Sequence, residues 1–283
     1  YLITSIIFKE LKQKGNFSFS NFYLRRARRI LPALFFLLLC SIPLAWFALL
    51  PSGFIDFAKS IYFSLGFSSN FYFYFTGLEY GAVDGLLKPL LHTWSLAVEE
   101  QYYIIFPVLF VLGFVFFKKR IDITILTILL LSLIFAEYFS IRNSNLNFYI
   151  LPSRAWELLT GSALVFLENK KNFKSSNFIS NIFCLLGLGM ILLSFVYFYE
   201  AVPSPSVKST LPVIGTVLIL IFINKKTITA KFLNNKLLVG LGLISYSLYL
   251  WHYPIFAFVR NLRMAQGIVE YSLVAFLIFI LSI

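Results

Sequence analysis

Runs of apolar residues, each long enough to cross a bilayer, recur along this chain and decide most of what it can fold into. A spanning α-helix needs about 20 predominantly apolar residues. Only 13% of the 283 residues are charged and 59% are hydrophobic, whereas a soluble domain carries about 25% charged residues. The sequence therefore predicts an all-α protein, a polytopic transmembrane helical bundle. The candidate spans are 30–50, 57–76, 101–117, 121–141, 148–167, 178–199, 210–223 and 237–259.

The organisation predicted is a single domain, 1–283, truncated at both ends. The chain begins at Tyr1, and the apolar run 268–283 stops without a polar flank. Cys40 and Cys184 both lie inside apolar segments, so we expect buried thiols and no disulfide. We expect no metal site, because only two histidines accompany twelve acidic residues and no paired His/Cys motif is present.

The basic residues give conflicting indications of sidedness. Lysines and arginines in the segment 9–29 mark the cytoplasmic side. Counting crossings from there puts the basic clusters Lys118-Lys119-Arg120, Lys170-Lys171 and Lys225-Lys226 on the opposite side. Either 57–76 does not fully cross, as its polar-aromatic residues 66–76 would allow, or the loop charges mislead. The net charge of +12 is explained by such loops and by anionic lipid headgroups, so nucleic acid is not an expected partner.

Four arginines stand at the start of the first span, in the segment Phe22–Pro32. Arg25 and Arg29 would share one face of a helix, and Arg26 and Arg29 would also be neighbours. A juxtamembrane anchor is one interpretation, of even weight on composition. The other is a phosphate clamp, since the guanidinium group grips phosphate oxygens bidentately.

The segment His92–Tyr103 places a histidine and two adjacent carboxylates directly before an uncharged apolar run. Ionisable groups inside a membrane are costly and usually line a polar cavity or a reaction site. Glu99 and Glu100 lie about 100° apart on a helix, so they face different partners. His92 would align with Glu99 if the helix extended back that far, and a carboxylate on an imidazole is a device for general-base catalysis. The alternative is an interfacial loop that packs Trp94 at headgroup depth.

Two further groups of residues are candidates for substrate contacts. Arg154 and Glu157 lie three apart on one helix, where a self-neutralising pair and a substrate contact are equally good interpretations. Tyr249 and His252 belong to a polar stripe on an apolar helix, flanked by Tyr246. An interfacial aromatic belt is the alternative for this stripe, whereas hydroxyls beside a histidine would suit a sugar or a polyprenyl-linked acceptor.

Together, the segments Phe22–Pro32, His92–Tyr103, Arg154–Gly161 and Ile244–Pro254 resemble acyltransferase family 3, membrane-bound O-acyltransferases that modify cell-surface glycans. The resemblance implies transfer of an acyl group, commonly acetyl, from cytoplasmic acyl-coenzyme A to a sugar hydroxyl on the far face of the membrane. Lipopolysaccharide O-antigen, exopolysaccharide and peptidoglycan are acceptors of this class. The implied location is the plasma (inner) membrane, and the implied partners are membrane lipid, acyl-CoA as co-substrate and the glycan, with no bound cofactor.

By this resemblance, Arg26 and Arg29 match the family's paired arginines, thought to bind coenzyme A phosphates. The family's proposed catalytic histidine lies in a first helix, and Tyr1-Leu2-Ile3-Thr4 resembles the end of the second. The principal base is therefore expected outside these residues, with His92 as a second polar group of the same cavity. Related proteins often continue into a further helix and an SGNH hydrolase-like domain, and residues 268–283 would be that helix.

A transporter or flippase of a glycan-linked or charged lipid is the rival function. It would use the same acids and histidines for proton coupling. Inverted repeats would favour it, and none is detected in the sequence. A transporter also gives no reason for four arginines at the start of one helix.

Overall fold

The computed structural model describes residues 1–79, 83–117, 120–170, 176–198, 204–264 and 267–282. In these ranges the chain is α-helical, with two short 3-10 turns and no strand. The helices are α1 (Leu2–Lys14), α2 (Phe19–Ala48), α3 (Pro51–Leu65), α4 (Ser69–Gly77), α5 (Thr93–Phe116), α6 (Ile121–Arg142), α7 (Ser144–Tyr149), α8 (Leu151–Lys170), α9 (Asn177–Tyr197), α10 (Thr210–Phe222), α11 (Ile228–Leu233), α12 (Lys236–Asn261) and α13 (Ile268–Leu281). The prediction of an all-α fold is confirmed.

Four of these helices are long and apolar enough to cross a membrane: α2, α5, α6 and α9. They match the predicted spans 30–50, 101–117, 121–141 and 178–199. The predicted span 148–167 is divided at Ile150 into α7 and α8. Cys184 is buried as expected, Cys40 is only partly buried, and both thiols are free. Of the basic loop residues, Lys118, Lys119 and Lys171 lie outside the described residues.

The predicted span 57–76 is wrong as a single helix. The chain breaks at residues 66–68, where Phe67 has a φ of 49°, and continues as the nine-residue α4. Helix α4 folds back along α3, because the Tyr72 ring stacks on Phe63 at 4.8 Å between centroids and its hydroxyl donates to the Asp56 carbonyl at 3.2 Å. Neither helix reaches the length of about 20 residues that a bilayer crossing needs.

The side chain of Gln101 satisfies the backbone at this break. Its Nε2 donates to the Phe67 carbonyl at 2.8 Å and to Asn70 Oδ1 at 2.9 Å. An unpaired carbonyl in an apolar environment costs several kcal/mol, so a polar side chain at this point is a requirement of the fold.

The chain divides into two compact units. The first consists of Tyr1–Phe17 and Tyr102–Leu238. Its core is aromatic and aliphatic, built mainly on Phe8, Phe106, Phe110 and Phe166 from α1, α5 and α8. Ser162 joins the same three helices by polar contacts, since it accepts from Thr4 at 2.8 Å and lies 3.2 Å from the Tyr102 hydroxyl.

Helices α9 and α10 of the first unit approach each other through glycines. A Cβ added at Gly187 would lie 2.5 Å from the Gly215 carbonyl oxygen, and one added at Gly215 would lie 2.6 Å from that of Gly187. Such close backbone approach between apolar helices is possible only where side chains are absent.

The second unit consists of Ser18–Gln101 and Val239–Ile283. It contains α2, α3, α4, the first turns of α5, most of α12, and α13. Helix α2 begins at the N-cap Ser18, whose hydroxyl accepts from the Asn21 amide, and it runs unbroken through the four arginines and two prolines. Helix α5 begins at Thr93, so His92 is the last residue before it.

Candidate active site

Arg26 of α2 and Glu100 of α5 form an ion pair within the second unit. Arg26 Nη2 lies 2.7 Å from Glu100 Oε1, and Nε donates to Oε1 at 3.1 Å and to Oε2 at 3.2 Å. Glu100 is only 5% exposed. A carboxylate at this depth is stable because a guanidinium group neutralises it with fork-like geometry.

This ion pair changes the predicted roles of the arginines. Arg26 uses two of its three nitrogens on Glu100, so its first role is to hold α2 against α5. Arg25, Arg28 and Arg29 are exposed. Arg25 and Arg29 lie one turn apart on the same face of α2, and these two remain suited to an anionic ligand.

Helix α12 is fastened to α2 and α5 by tyrosine hydroxyls. Tyr246 donates to the Ile30 carbonyl of α2 at 3.2 Å. Tyr249 donates to the His92 carbonyl at 2.6 Å, and its oxygen lies 2.9 Å from the hydroxyl of Ser95. Both tyrosines, which sequence analysis proposed as substrate contacts, thus set the position of the segment that carries His92.

His92 is buried among aromatic rings. It is 6% exposed, and its ring stacks on Tyr253 with centroids 5.5 Å apart. The rings of Tyr249 and His252 lie at 5.2 and 5.7 Å. The ring nitrogens of His92 make no hydrogen bond of good geometry to the described residues, although the backbones of Leu250 and Pro89 lie near the ring. Burial without a counter-charge favours the neutral imidazole, which has one nitrogen lone pair to accept a proton.

The predicted pairing of His92 with Glu99 is wrong. Helix α5 does not extend back to His92, so the seven-residue spacing does not bring the two side chains onto one face. Glu99 is exposed, and Glu100 faces Arg26. Glu100 therefore pairs with Arg26 and not with the imidazole.

His252 complements His92 in hydrogen-bonding capacity. Its Nδ1 lies 2.7 Å from the Tyr249 carbonyl and 3.2 Å from that of Leu248. Carbonyl oxygens only accept, so in the neutral ring Nδ1 carries the hydrogen and Nε2 carries the lone pair. The two histidines, far apart in sequence, thus form one pair of neighbouring imidazoles.

These contacts form a continuous polar seam through the second unit. We use the name polar seam for Arg26–Glu100, Tyr246, Tyr249 with Ser95, and the histidine pair with Tyr253. It ends where Tyr253 donates to the Gly85 carbonyl at 2.8 Å. The elements that carry it are α2, α5, α12 and the segment 83–92 that precedes α5. One end of the polar seam is the ion pair of Arg26 and Glu100 near the start of α2, and the histidine pair lies toward its other end.

Arg154 and Glu157 belong to the first unit. Arg154 Nε lies 3.8 Å from Glu157 Oε2, and the guanidinium carbon lies 5.4 Å from the centroid of Phe148. The two charges neutralise each other, which corresponds to the self-neutralising pair among the two interpretations of the sequence. Trp94, in the first turn of α5, is half-buried in the second unit.

Sequence reasoning missed several residues of the seam. Tyr253, which stacks on His92, directly follows the predicted His252, and Ser95 lies between the predicted Trp94 and Glu99. Their position beside known candidates was the only signal available. Arg26 and Glu100 are 74 residues apart and lie on different helices. No local sequence pattern could therefore indicate that they pair.

Comparison with known families identifies the chain. The model of a family described as an acyltransferase domain matches residues 1–283, the whole sequence. The chain belongs to this acyltransferase family. The resemblance inferred from four short segments is confirmed over the full length.

Curated relatives of this acyltransferase domain carry O-acetyltransferase names. It is 30% identical to "Putative peptidoglycan O-acetyltransferase YrhL" of Bacillus subtilis (strain 168), over 90% of the chain and 42% of the relative. It is 32% identical to "Putative O-acetyltransferase SACOL0978" of Staphylococcus aureus (strain COL), over 92% and 45%. It is 28% identical to "O-acetyltransferase OatA" of Staphylococcus aureus (strain NCTC 8325 / PS 47), over 92% and 45%. The chain thus spans less than half the length of these relatives. No solved structure matches the chain significantly.

Proposed function

We propose that this acyltransferase domain is part of a multi-pass membrane enzyme that moves an acyl group, acetyl, from acyl-CoA to a hydroxyl of a cell-surface glycan. The family and the names of the relatives support acyl transfer. The observation that carries the proposal is the buried His92, whose ring adjoins that of His252 and makes no hydrogen bond to a side chain among the described residues.

The exposed arginines of α2 are proposed to hold the donor. Coenzyme A carries a diphosphate and a ribose phosphate, and Arg25 and Arg29 project from one face of α2 at one-turn spacing. Guanidinium groups bind such oxygens bidentately. Arg26 holds this part of α2 in place, because its ion pair with Glu100 fixes the first turns of α2 against α5.

The histidine pair is proposed to take part in the chemistry. Attack of a sugar hydroxyl on the thioester carbonyl forms the ester bond and breaks the carbon–sulfur bond. The hydroxyl proton must go to a base, and the departing thiolate must receive a proton. In its neutral form, each imidazole of the pair His92 and His252 offers one lone pair for this exchange. Tyr249 holds the His92 backbone and thereby positions the ring.

The acceptor is proposed to be a glycan outside the plasma (inner) membrane. Lipopolysaccharide O-antigen, exopolysaccharide and peptidoglycan all present suitable hydroxyls. The printed name of the Bacillus relative includes peptidoglycan, which favours that glycan as the first acceptor to test.

The test is transfer of labelled acetyl from acetyl-CoA to glycan, by the full-length protein in membranes. Arg25→Gln with Arg29→Gln is expected to raise the KM for acetyl-CoA and to leave kcat nearly unchanged. Arg28→Gln, which removes one exposed arginine from the same turns of α2 and leaves both Arg25 and Arg29 in place, is the control. His92→Gln is expected to lower kcat by about 10²-fold or more, the usual share of a general acid–base group.

Two results would contradict the proposal. Absence of transfer from any acyl-CoA, in protein that is folded and correctly inserted, would favour a transporter of glycan-linked lipid instead. Equal effects of Arg28→Gln and of the Arg25/Arg29 double variant would show that the arginines act only through general surface charge.

A further inference from the structure

A cavity with mainly apolar walls and a few polar groups lies in the same unit as the polar seam, at the other end of α2 from the arginines. It has a volume of about 290 Å³ and is walled by Leu49 and Leu50, which follow α2, by α3 and α4, by the segment 83–89 and by the last residue of α12. This volume is near the lower limit of ligand pockets, about 300 Å³. It has room for one small ring rather than for a long chain.

We propose that this cavity is the acceptor subsite, which binds one sugar ring of the glycan through hydrogen bonds to its hydroxyls. The inference rests on the proposed function, because it assigns the second substrate of the same reaction. The residues that would recognise the ring are Asp56, Asn261, Lys88 and Ser52, with Tyr72 and Phe73 forming apolar wall.

Asp56 is the strongest acceptor in the cavity. It is half-buried, and its carboxylate makes no hydrogen bond or ion pair to the part of the chain that the structure describes. A half-buried carboxylate without a protein partner keeps its lone pairs for donors from a ligand. Sugar hydroxyls would supply donors to it as charge-assisted hydrogen bonds.

Asn261 and Lys88 hold the opposite wall in place. Asn261 Nδ2 donates to the Leu87 carbonyl at 2.9 Å and to the Ala257 carbonyl at 2.8 Å, which leaves its Oδ1 as an acceptor. Lys88 Nζ donates to Thr76 at 3.3 Å, and an ammonium group has three donors. Donors and acceptors thus both line the cavity, as a polyhydroxylated ring requires.

Tyr72 keeps its proton inside this wall. Burial raises the pKa of its hydroxyl to about 12, and the charges of Asp56 and Glu79 act in the same direction. The neutral hydroxyl donates to the Asp56 carbonyl, so it shapes the wall and leaves the Asp56 carboxylate for the ligand.

The position of the cavity separates it from the donor arginines by the thickness of a membrane. Arg26 and the cavity residue Leu49 are 23 residues apart along α2, or about 34 Å at the helical rise, against about 30 Å for a hydrocarbon core. If the arginines bind cytoplasmic acyl-CoA, the cavity opens on the outer face.

The histidines lie between the two ends. Pro89 lines the cavity and His92 follows three residues later, within about 11 Å along even a fully extended chain. His252 precedes Asn261 on the same helix by nine residues, or about 14 Å. A ring in the cavity therefore lies on the outer side of the imidazoles, and the donor lies on their inner side.

The first experiment measures acceptor kinetics with the full-length protein in membrane vesicles and a soluble oligosaccharide of N-acetylglucosamine and N-acetylmuramic acid. Asp56→Asn is expected to raise the KM for the oligosaccharide about tenfold, the loss of one charge-assisted hydrogen bond, with the KM for acetyl-CoA unchanged. Lys59→Gln is the control, because Lys59 is exposed on α3 outside the cavity. An unchanged acceptor KM in Asp56→Asn, while the wild type transfers acetyl, would overturn the assignment.

Graded filling of the cavity gives an independent variant. Gly53 lines it, and a Cβ added there would meet only Leu49 Cβ, at an ordinary 3.7 Å. Gly53→Ala is expected to retain acceptor binding, whereas Gly53→Phe is expected to block it. Equal acceptor kinetics in the two variants would count against a ligand in this space.

A labelling experiment separates failure of the cavity from failure of the enzyme proposal, since it needs no turnover. Ser52 is exposed at the cavity, and Ser52→Cys is introduced after Cys40 and Cys184 are replaced by alanine. A membrane-impermeant maleimide is expected to label it in intact cells, and the oligosaccharide is expected to protect it. Arg28→Cys should react only after permeabilisation. Labelling of Ser52→Cys only after permeabilisation, or without protection by sugar, would overturn the inference even if acetyl transfer is confirmed.

Discussion

Removal of Glu100 is the perturbation whose effect the structure defines best. Its carboxylate receives three contacts of 2.7 to 3.2 Å from Arg26 and is 5% exposed. Glu100→Gln keeps the shape and one acceptor oxygen. It removes the charge that compensates the guanidinium group.

The expected loss of folding stability is about 3 kcal/mol. Breaking one partner of a buried ion pair costs about 3–5 kcal/mol, because the other charge stays behind without compensation. Arg26 retains 20% side-chain exposure, so water screens part of the residual charge and the lower end of the range applies. For a domain of this size the loss corresponds to a fall in Tm of about 6–12 °C.

The assay is thermal unfolding in detergent at a fixed scan rate, with Glu99→Gln as the control. Glu99 is the neighbouring carboxylate and is exposed, so its substitution should change stability by no more than about 0.5 kcal/mol. Arg26→Met combined with Glu100→Leu should recover most of the Tm, since no buried charge is left. If Glu100→Gln lowers Tm no more than Glu99→Gln does, the ion pair does not support the fold as argued.

Three other substitutions test separate parts of the structure. Tyr249→Phe removes two hydrogen bonds and should lower the free energy of unfolding by about 1–3 kcal/mol. It should also lower kcat more than it changes the KM for acetyl-CoA. An unaltered kcat would contradict the proposal that Tyr249 positions the imidazole. Gly187→Ala places a Cβ against the Gly215 carbonyl and should destabilise the fold by about 1–3 kcal/mol. Gly189→Ala is the control, because a Cβ there meets nothing within 4 Å. Equal melting temperatures of the two variants would refute the close approach of the helices. Ser162→Ala leaves the hydroxyls of Thr4 and Tyr102 without their partner. It should lower the free energy of unfolding by about 1–3 kcal/mol and the Tm with it. An unchanged Tm would mean that those hydroxyls find other partners.

The helices were predictable because the signal for them is local. About 20 consecutive apolar residues make a span whatever their neighbours are, and α2, α5, α6 and α9 follow from this rule. The break at 66–68 was not fixed by hydropathy, because Gln101, more than 30 residues later, supplies the hydrogen bonds that stabilise it.

The pairing of the candidate site residues was not predictable from the sequence. His92 and His252 were both selected, yet their proximity depends on how α12 packs against α5 and has no trace in spacing. Glu100 was a candidate catalytic residue of the His92–Tyr103 segment, and in the structure it pairs with Arg26. The cavity had no sequence signal, because Asp56 and Asn261 are isolated polar residues that only the fold brings to one space.

The hairpin of α3 and α4 changes how the second unit can be threaded through a membrane. Two helices that turn back on each other add no net crossing between the end of α2 and the start of α5. A count of crossings that takes 57–76 as one span is therefore one too high at the start of α5, which is the first of the two explanations that the loop charges left open.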